Sequence, residues 1–117
     1  RPLGIIMLDV DHFKRCNDTY GLNVGDAVLQ ELSARLATNV RPSDFACRLG
    51  GEEFVVIMRG TDDKGAALLA ERVRSLVASE PYKFEQHSIP ATISIGVAAP
   101  KDVKIMRDDA VRQEVRG

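Results

Sequence analysis

The sequence predicts an α+β domain of the ferredoxin-like, palm-type βαββαβ plan, a central, mostly antiparallel sheet with helices packed on it. Three observations carry that prediction. Short apolar runs rich in β-branched residues alternate with longer stretches whose apolar residues recur every three or four positions, in the order strand, helix, strand, strand, helix, strand. The two middle runs are separated by little more than Gly50-Gly51 and two acids, the composition of a tight hairpin. At 117 residues, 44% hydrophobic and 28% charged, the chain reads as one globular domain over residues 1–117, long enough for a real core.

Leu3-Gly4-Ile5-Ile6-Met7-Leu8 is a continuous apolar run that fits a central strand packed on both faces, and it ends in Asp9-Val10-Asp11. A period of two puts both carboxylates on one face at the strand's polar exit. Such a pair is either an ordinary solvated strand end or a place where hard oxygen ligands converge on a divalent cation. Residues 12–21 read as a short helical turn closed by Gly21, whose start offers unpaired N–H groups to phosphate beside Lys14. On its own Lys14 reads equally as a solvated surface lysine. His12 reads as a helix-start residue, because no second histidine or cysteine is positioned to join it on a metal. From Leu22 a longer helix carries Val28, Leu29, Leu32, Leu36 and Val40 at helical spacing until Pro42 stops it.

Arg41-Pro42-Ser43-Asp44 is a turn, and an arginine and an aspartate three apart in it form, taken alone, a local ion pair. Phe45-Ala46-Cys47 and Phe54-Val55-Val56-Ile57-Met58 are the hairpin strands. Gly50 and Gly51 leave the backbone bare to a large anion. Glu52 and Glu53 begin the return strand, where neighbouring side chains point to opposite faces, so that at most one faces a given ligand squarely. Thr61-Asp62-Asp63 starts a second long helix, with acids in its first turn favoured by the helix dipole. Its buried stripe is Leu69, Val73, Leu76 and Val77, and it runs to about Ser79 before Glu80-Pro81. Residues 82–88 form a small edge strand or loop, residues 89–97 alternate as a further strand, and residues 102–117 give at best a loose, short helix.

A net charge of −1 provides no global basic field for nucleic acid or an anionic membrane, so any phosphate binding is local. No apolar run approaches the length of a membrane span. Cys16 and Cys47 lack metal-ligand or CxxC spacing and read as reduced thiols of a cytoplasmic protein. In the βαββαβ plan the end of the first strand lies beside the central hairpin, so Asp9 and the Glu52-Glu53 pair meet in space. That is the geometry of polymerase-type and cyclase-type palms, in which two cations clamp the oxygens of an in-line phosphoryl displacement.

Asp9-Val10-Asp11-His12-Phe13-Lys14, Asn17-Asp18-Thr19-Tyr20-Gly21, Gly25-Asp26, Arg48-Leu49-Gly50-Gly51-Glu52-Glu53-Phe54 and Thr92-Ile93-Ser94-Ile95-Gly96-Val97 together resemble the GGDEF family, the diguanylate cyclases of bacterial signalling. The signature is the GGEEF variant, and the match, over residues 3 to about 100, is most similar to the response-regulator-linked type.

The resemblance implies condensation of two GTP to cyclic di-GMP with release of two pyrophosphates, using Mg²⁺ or Mn²⁺, two ions per active site. It implies Asp9, the Val10 carbonyl and Glu53 as metal ligands, and Glu52 as the base or metal helper for the ribose 3′-hydroxyl. Lys14 and the N–H groups of His12 and Phe13 would receive the β- and γ-phosphates, next to the bare Gly50-Gly51 backbone. Asn17 and Asp26 would read guanine, whose N1–H and exocyclic amine are a donor pair that a carboxylate accepts and that adenine does not present. Arg41 and Asp44 resemble the family's RxxD product-inhibition site, with Arg72 as its second arginine.

The implied partners are GTP, cyclic di-GMP, a second copy of the domain in an antiparallel homodimer, and a receiver or other sensory input domain. Leu22 stands where the family usually has histidine. The family's preceding helix with its DxLTGLxNR segment, and its closing helix with a phosphate-binding lysine and arginine, are not recognisable in this chain. An alternative therefore stays open, a non-catalytic regulatory module that binds GTP or cyclic di-GMP, and behind it a ferredoxin-like interaction domain with no nucleotide role.

Overall fold

The apolar run at the start of the chain becomes β1 (Leu3–Val10), on which the rest of the sheet is registered. In the computed structural model, which describes residues 2–99, β1 lies between β3 (Glu53–Arg59) and β6 (Ile93–Ala98), antiparallel to both. An outer strand, β2 (Phe45–Gly50), pairs with β3, giving the order β2-β3-β1-β6 that the βαββαβ plan requires. Between β1 and β2 run α1 (Phe13–Tyr20) and α2 (Leu22–Ala37), and between β3 and β6 runs α3 (Asp63–Ser79). The loose helix expected over residues 102–117 lies outside the described residues.

Alternation along the strands decides what the helices cover. Ile6, Leu8 and Val10 of β1, Phe54, Val56 and Met58 of β3, and Ile93 of β6 join Val28, Leu29, Leu32 and Leu36 of α2 and Leu69, Val73 and Val77 of α3 in one core. The intervening positions face the other side of the sheet, and at the polar end these are Asp9 with its cross-strand neighbours Glu53 and Ser94. Gly21, at φ 95°, closes α1 by donating its N–H to the Asn17 carbonyl and lets α2 start at once. Asp62 caps α3 as its composition suggests, its carboxylate accepting from the Gly65 N–H at 2.9 Å.

Three details differ from the sequence expectation. The α2 helix stops at Ala37, before Pro42, because Thr38 Oγ1 and Asn39 Nδ2 both donate to the Arg35 carbonyl (2.9 and 2.8 Å) and take over the helix end. Residues 82–89 form a hairpin of their own, β4 (Tyr82–Phe84) with β5 (His87–Ile89), outside the main sheet. Ile89 belongs to that hairpin, and Pro90, which has no N–H to give a ladder, separates it from β6. Leu76 is half-buried, so Ala66 and Ala70 complete the α3 stripe in its place.

No glycine closes α3. Arg35, reaching across from α2, donates to the carbonyls of Val77 (3.2 Å), Glu80 (3.0 Å) and Pro81 (3.3 Å). Its Nε donates to Glu31 at 3.1 Å, and its guanidinium lies 3.9 Å from the centre of the Tyr82 ring. One side chain thus ties α2 to the end of α3 and to the β4–β5 hairpin.

Candidate active site

The hairpin turn and the end of β1 make one polar corner. Gly50 and Gly51 have φ of 145° and 52°, values that favour glycine, and the ladder shifts between Arg48 and Gly50. Arg48 Nε donates to the Gly51 carbonyl at 2.8 Å, holding the turn. The Val10 N–H donates to the Glu52 carbonyl at 3.2 Å, tying the turn to β1. Asp9 stands directly opposite Glu53 in the β1–β3 register, so their side chains share a face. Glu52 sits in the turn and not in the return strand, so strand alternation does not turn it away from that face. The Asp9 carboxyl is raised above its ordinary value by burial and by the charges of Glu52, Glu53 and Asp11.

Like charges placed opposite one another on paired strands oppose folding, and such a cluster is a common mark of a functional site. Its oxygen donors fit a hard divalent cation. Among the described residues no group of three His, Cys, Asp or Glu side chains is placed to hold a metal ion by itself.

Asp11, the second acid of the pair, is already engaged. Its carboxylate accepts from Ser94 Oγ at 2.6 Å and Thr92 Oγ1 at 2.8 Å, and its N–H donates to the Thr92 carbonyl at 2.9 Å. Those two hydroxyls hold its carboxyl below the ordinary value. Thr92 and Ser94 were therefore missed as supporting residues, although their spacing of two was the available signal. Next to this clamp His12 adopts left-handed φ 56°, ψ 31°, unusual for a non-glycine residue, and turns the chain into α1. Among the described residues no side chain caps α1, which leaves its first-turn N–H groups at Phe13 and Lys14 available to an anion. Lys14 is exposed beside them. A cleft of about 320 Å³ on this side is lined by Asp11, His12, Phe13, Arg15, Cys16 and Tyr20 among others, but not by Lys14, Asn17 or Asp26.

Asn17 of α1 lies against Gly25 of α2, the residue that precedes Asp26. A Cβ built on Gly25 would fall 1.8 Å from Asn17 Oδ1, so a side chain there would oblige that amide to move. Asn17 Oδ1 is buried without a hydrogen-bond partner among the described residues, while Asp26, the residue after Gly25 on α2, is exposed. Leu22 is 71% exposed at the start of the same helix.

The third group of predicted residues lies at the far end of the sheet. Arg41 and Asp44 form the expected turn ion pair, with Nη2 and Nε of Arg41 donating to Oδ1 at 2.7 and 3.0 Å and the Arg41 N–H donating to Oδ2 at 2.7 Å. Burial pushes the Asp44 carboxyl up, but the Arg41 hydrogen bonds and charge outweigh it and hold it below the ordinary value. Arg41, Asp44 and Arg72 line one cleft of about 420 Å³, with Thr61, Asp62 and Leu68. The cleft opens near Pro2 and Gly60, next to the Leu3–Arg59 end of the β1–β3 pair. The Asp9–Glu53 end lies six residues further along, roughly 20 Å away at 3.3 Å per residue.

A family model described as "Diguanylate cyclase, GGDEF domain" matches residues 1–112. The chain is 47% identical over 100 residues to the response regulator PleD of Caulobacter vibrioides, covering 84% of this chain and 22% of PleD. It is 42% identical over 97 residues to diguanylate cyclase A of Treponema denticola, covering 83% and 26% of the two chains. It thus spans about a quarter or less of the length of these curated relatives. Among solved structures, the GGDEF domain of DgcB from Caulobacter crescentus in complex with c-di-GMP is similar with a TM-score of 0.80 and 33% identity, over 86% of this chain and 60% of that one. The active GGEEF domain of a diguanylate cyclase from Vibrio cholerae is similar with a TM-score of 0.80 and 32% identity, over 99% and 78%.

Proposed function

The chain belongs to the GGDEF family, and from that premise we propose that it is a diguanylate cyclase domain that condenses two GTP into cyclic di-GMP and two pyrophosphates. The observation that carries this reading is the placement of Asp9 opposite Glu53, beside the Gly-Gly turn that holds Glu52. The GGEEF signature supports it further, since the Vibrio cholerae domain with the same signature is described as active.

In the proposed site Asp9, the Val10 carbonyl and Glu53 would hold two Mg²⁺ or Mn²⁺ ions, which would supply charge stabilisation for the transferring phosphoryl group. Glu52 accepts the proton of the ribose 3′-hydroxyl as the O3′–Pα bond forms and the bond from Pα to pyrophosphate breaks. The N–H groups of His12 and Phe13 and the Lys14 side chain hold the β- and γ-phosphates, as the uncapped start of α1 and its positive dipole end favour. Asn17 and Asp26 take the guanine edge. One domain holds one GTP, so two domains meet antiparallel, each 3′-hydroxyl facing the partner's α-phosphate. Arg41, Asp44 and Arg72 bind the product and restrain the enzyme. A receiver or other input domain of a cytoplasmic signalling protein brings the two copies together.

The test is product formation from Mg·GTP at two widely separated protein concentrations, with Glu53→Gln as blank. The proposal expects cyclic di-GMP to rise more than in proportion to protein. No product, with GTP or cyclic di-GMP still bound, would replace it by the regulatory-module reading.

A further inference from the structure

Arg41 makes more contacts than the ion pair accounts for. Its Nη2 reaches Asp44 Oδ1 at 2.7 Å, but also Thr61 Oγ1 at 2.8 Å and the Arg59 carbonyl at 3.2 Å. The Thr61 hydroxyl donates its own proton to the same Arg59 carbonyl (3.3 Å), which leaves its lone pairs to accept from Arg41. Its orientation is fixed by packing. A Cβ on Gly65 would fall 2.8 Å from the Thr61 methyl and one on Gly4 3.3 Å from it, so that methyl is wedged between the first turn of α3 and the start of β1. Rotating the hydroxyl away would require the methyl to leave this seat.

The consequence concerns the part of the guanidinium that is left. Asp44 occupies Nε and one side of Nη2, and Thr61 with Arg59 occupies the other side. Nη1 takes part in none of these bonds, in a cleft that Arg41, Asp44, Thr61 and Arg72 line together. An arginine held by Asp44 alone retains rotamer freedom about its long stem, and ordering it on binding costs affinity. We propose that Thr61 is a positioning residue of the product site, its hydroxyl and the Arg59 carbonyl fixing the Arg41 guanidinium so that Nη1 is presented, pre-ordered, to the phosphate or guanine acceptors of cyclic di-GMP. This rests on the reading of Arg41, Asp44 and Arg72 as a product site and adds the residue that sets its geometry. In the sequence Thr61 reads only as part of a helix start, and no pattern there marks this role.

Calorimetric titration of the purified protein with cyclic di-GMP, for Thr61→Val, Thr61→Ser and Arg41→Ala, tests both levels, with thermal unfolding as the check that each variant is folded. Valine keeps the wedged methyl and loses the hydroxyl, and serine does the reverse. Thr61→Val is expected to weaken binding about 3- to 10-fold, the range of one hydrogen bond of moderate strength, while Thr61→Ser, which keeps the hydroxyl but not the methyl that seats it, loses clearly less than Thr61→Val and Arg41→Ala loses binding. Parental affinity in Thr61→Val, or equal losses in the valine and serine variants, with Arg41→Ala still inactive in binding, overturns the role of Thr61 and leaves the product site standing. Parental affinity in Arg41→Ala removes the product-site reading itself, and this inference with it.

Discussion

Replacing Gly25 with alanine puts a methyl group where the Asn17 side chain lies. In isolation the change favours α2, since alanine is better than glycine in a helix interior by about 1 kcal/mol. In the folded protein the new Cβ falls 1.8 Å from Asn17 Oδ1, 3.0 Å from Asn17 Cγ and 3.3 Å from Phe13 Cζ. To reach an ordinary separation of about 3.5 Å the amide oxygen must retreat by roughly 1.7 Å. Overpacking of that kind costs about 1–3 kcal/mol, so the net effect is a destabilisation of up to about 2 kcal/mol after the helix gain. In an Asn17→Ala background the oxygen is gone, and the same substitution is expected to stabilise by up to about 1 kcal/mol, tempered by the Phe13 contact. Urea unfolding of the four proteins of this cycle measures the change of sign. GTP titration measures its functional side, since a displaced Asn17 would lose the guanine contact proposed for it, and Gly25→Ala should then bind GTP about as weakly as Asn17→Ala. Equal stability effects of Gly25→Ala in both backgrounds, or an unchanged GTP affinity, would refute the reasoning.

Asp9 and Asp11, two residues apart, should shift stability in opposite directions with pH. The Asp9 carboxyl is raised, so its ionised form opposes folding, a cost absent below about pH 4 that grows as pH rises through its folded-state value. Asp9→Asn is expected to abolish turnover yet stabilise the metal-free protein at pH 7 by a few tenths of a kcal/mol, and urea unfolding that shows a loss at pH 7 would contradict this. The Asp11 carboxyl is lowered by Ser94 and Thr92, so its contribution is present above about pH 4 and disappears as pH falls through its folded-state value. Asp11→Asn should cost about 1.5 kcal/mol at pH 7, and a deficit that stayed the same at pH 2 would count against the hydroxyl clamp. Arg35→Ala releases three carbonyls and the Tyr82 ring, and should lower stability by about 2 kcal/mol with hydrogen exchange fastest in residues 82–89; protection there equal to the parent's would show that the hairpin does not depend on it.

The parts of this protein that were legible in its sequence are those set by period and by glycine. The Leu3–Leu8 run, the α2 stripe of Val28, Leu29, Leu32 and Leu36, and the Gly50-Gly51 turn each follow from local chemistry, and together they fix the sheet order. What local chemistry does not specify is which atom meets which. That Asp11 would be consumed by Thr92 and Ser94 while Asp9 remained facing Glu53 depends on the β1–β6 register across some eighty residues of chain. Arg35 was unreadable for a related reason: its partners are main-chain carbonyls, which every residue possesses and no sequence pattern marks. Gly25 was legible as part of a motif, but its reason, the amide of Asn17 lying across it, exists only where two helices cross.

The register also fixes how the two proposed sites relate. Both draw on the β1–β3 pair, the carboxylate corner at Asp9–Glu53 and the arginine cleft beside Leu3–Arg59. Six residues of antiparallel ladder separate them by roughly 20 Å, too far for one nucleotide to occupy both at once. Product held at Arg41 therefore does not fill the place of GTP, and its inhibition should lower the maximal rate without being relieved by more GTP. Initial rates across a range of GTP concentrations, at several fixed concentrations of cyclic di-GMP, decide the matter. Inhibition that saturating GTP removes would mean that the product acts at the carboxylate corner, and that the arginine cleft has no part in it.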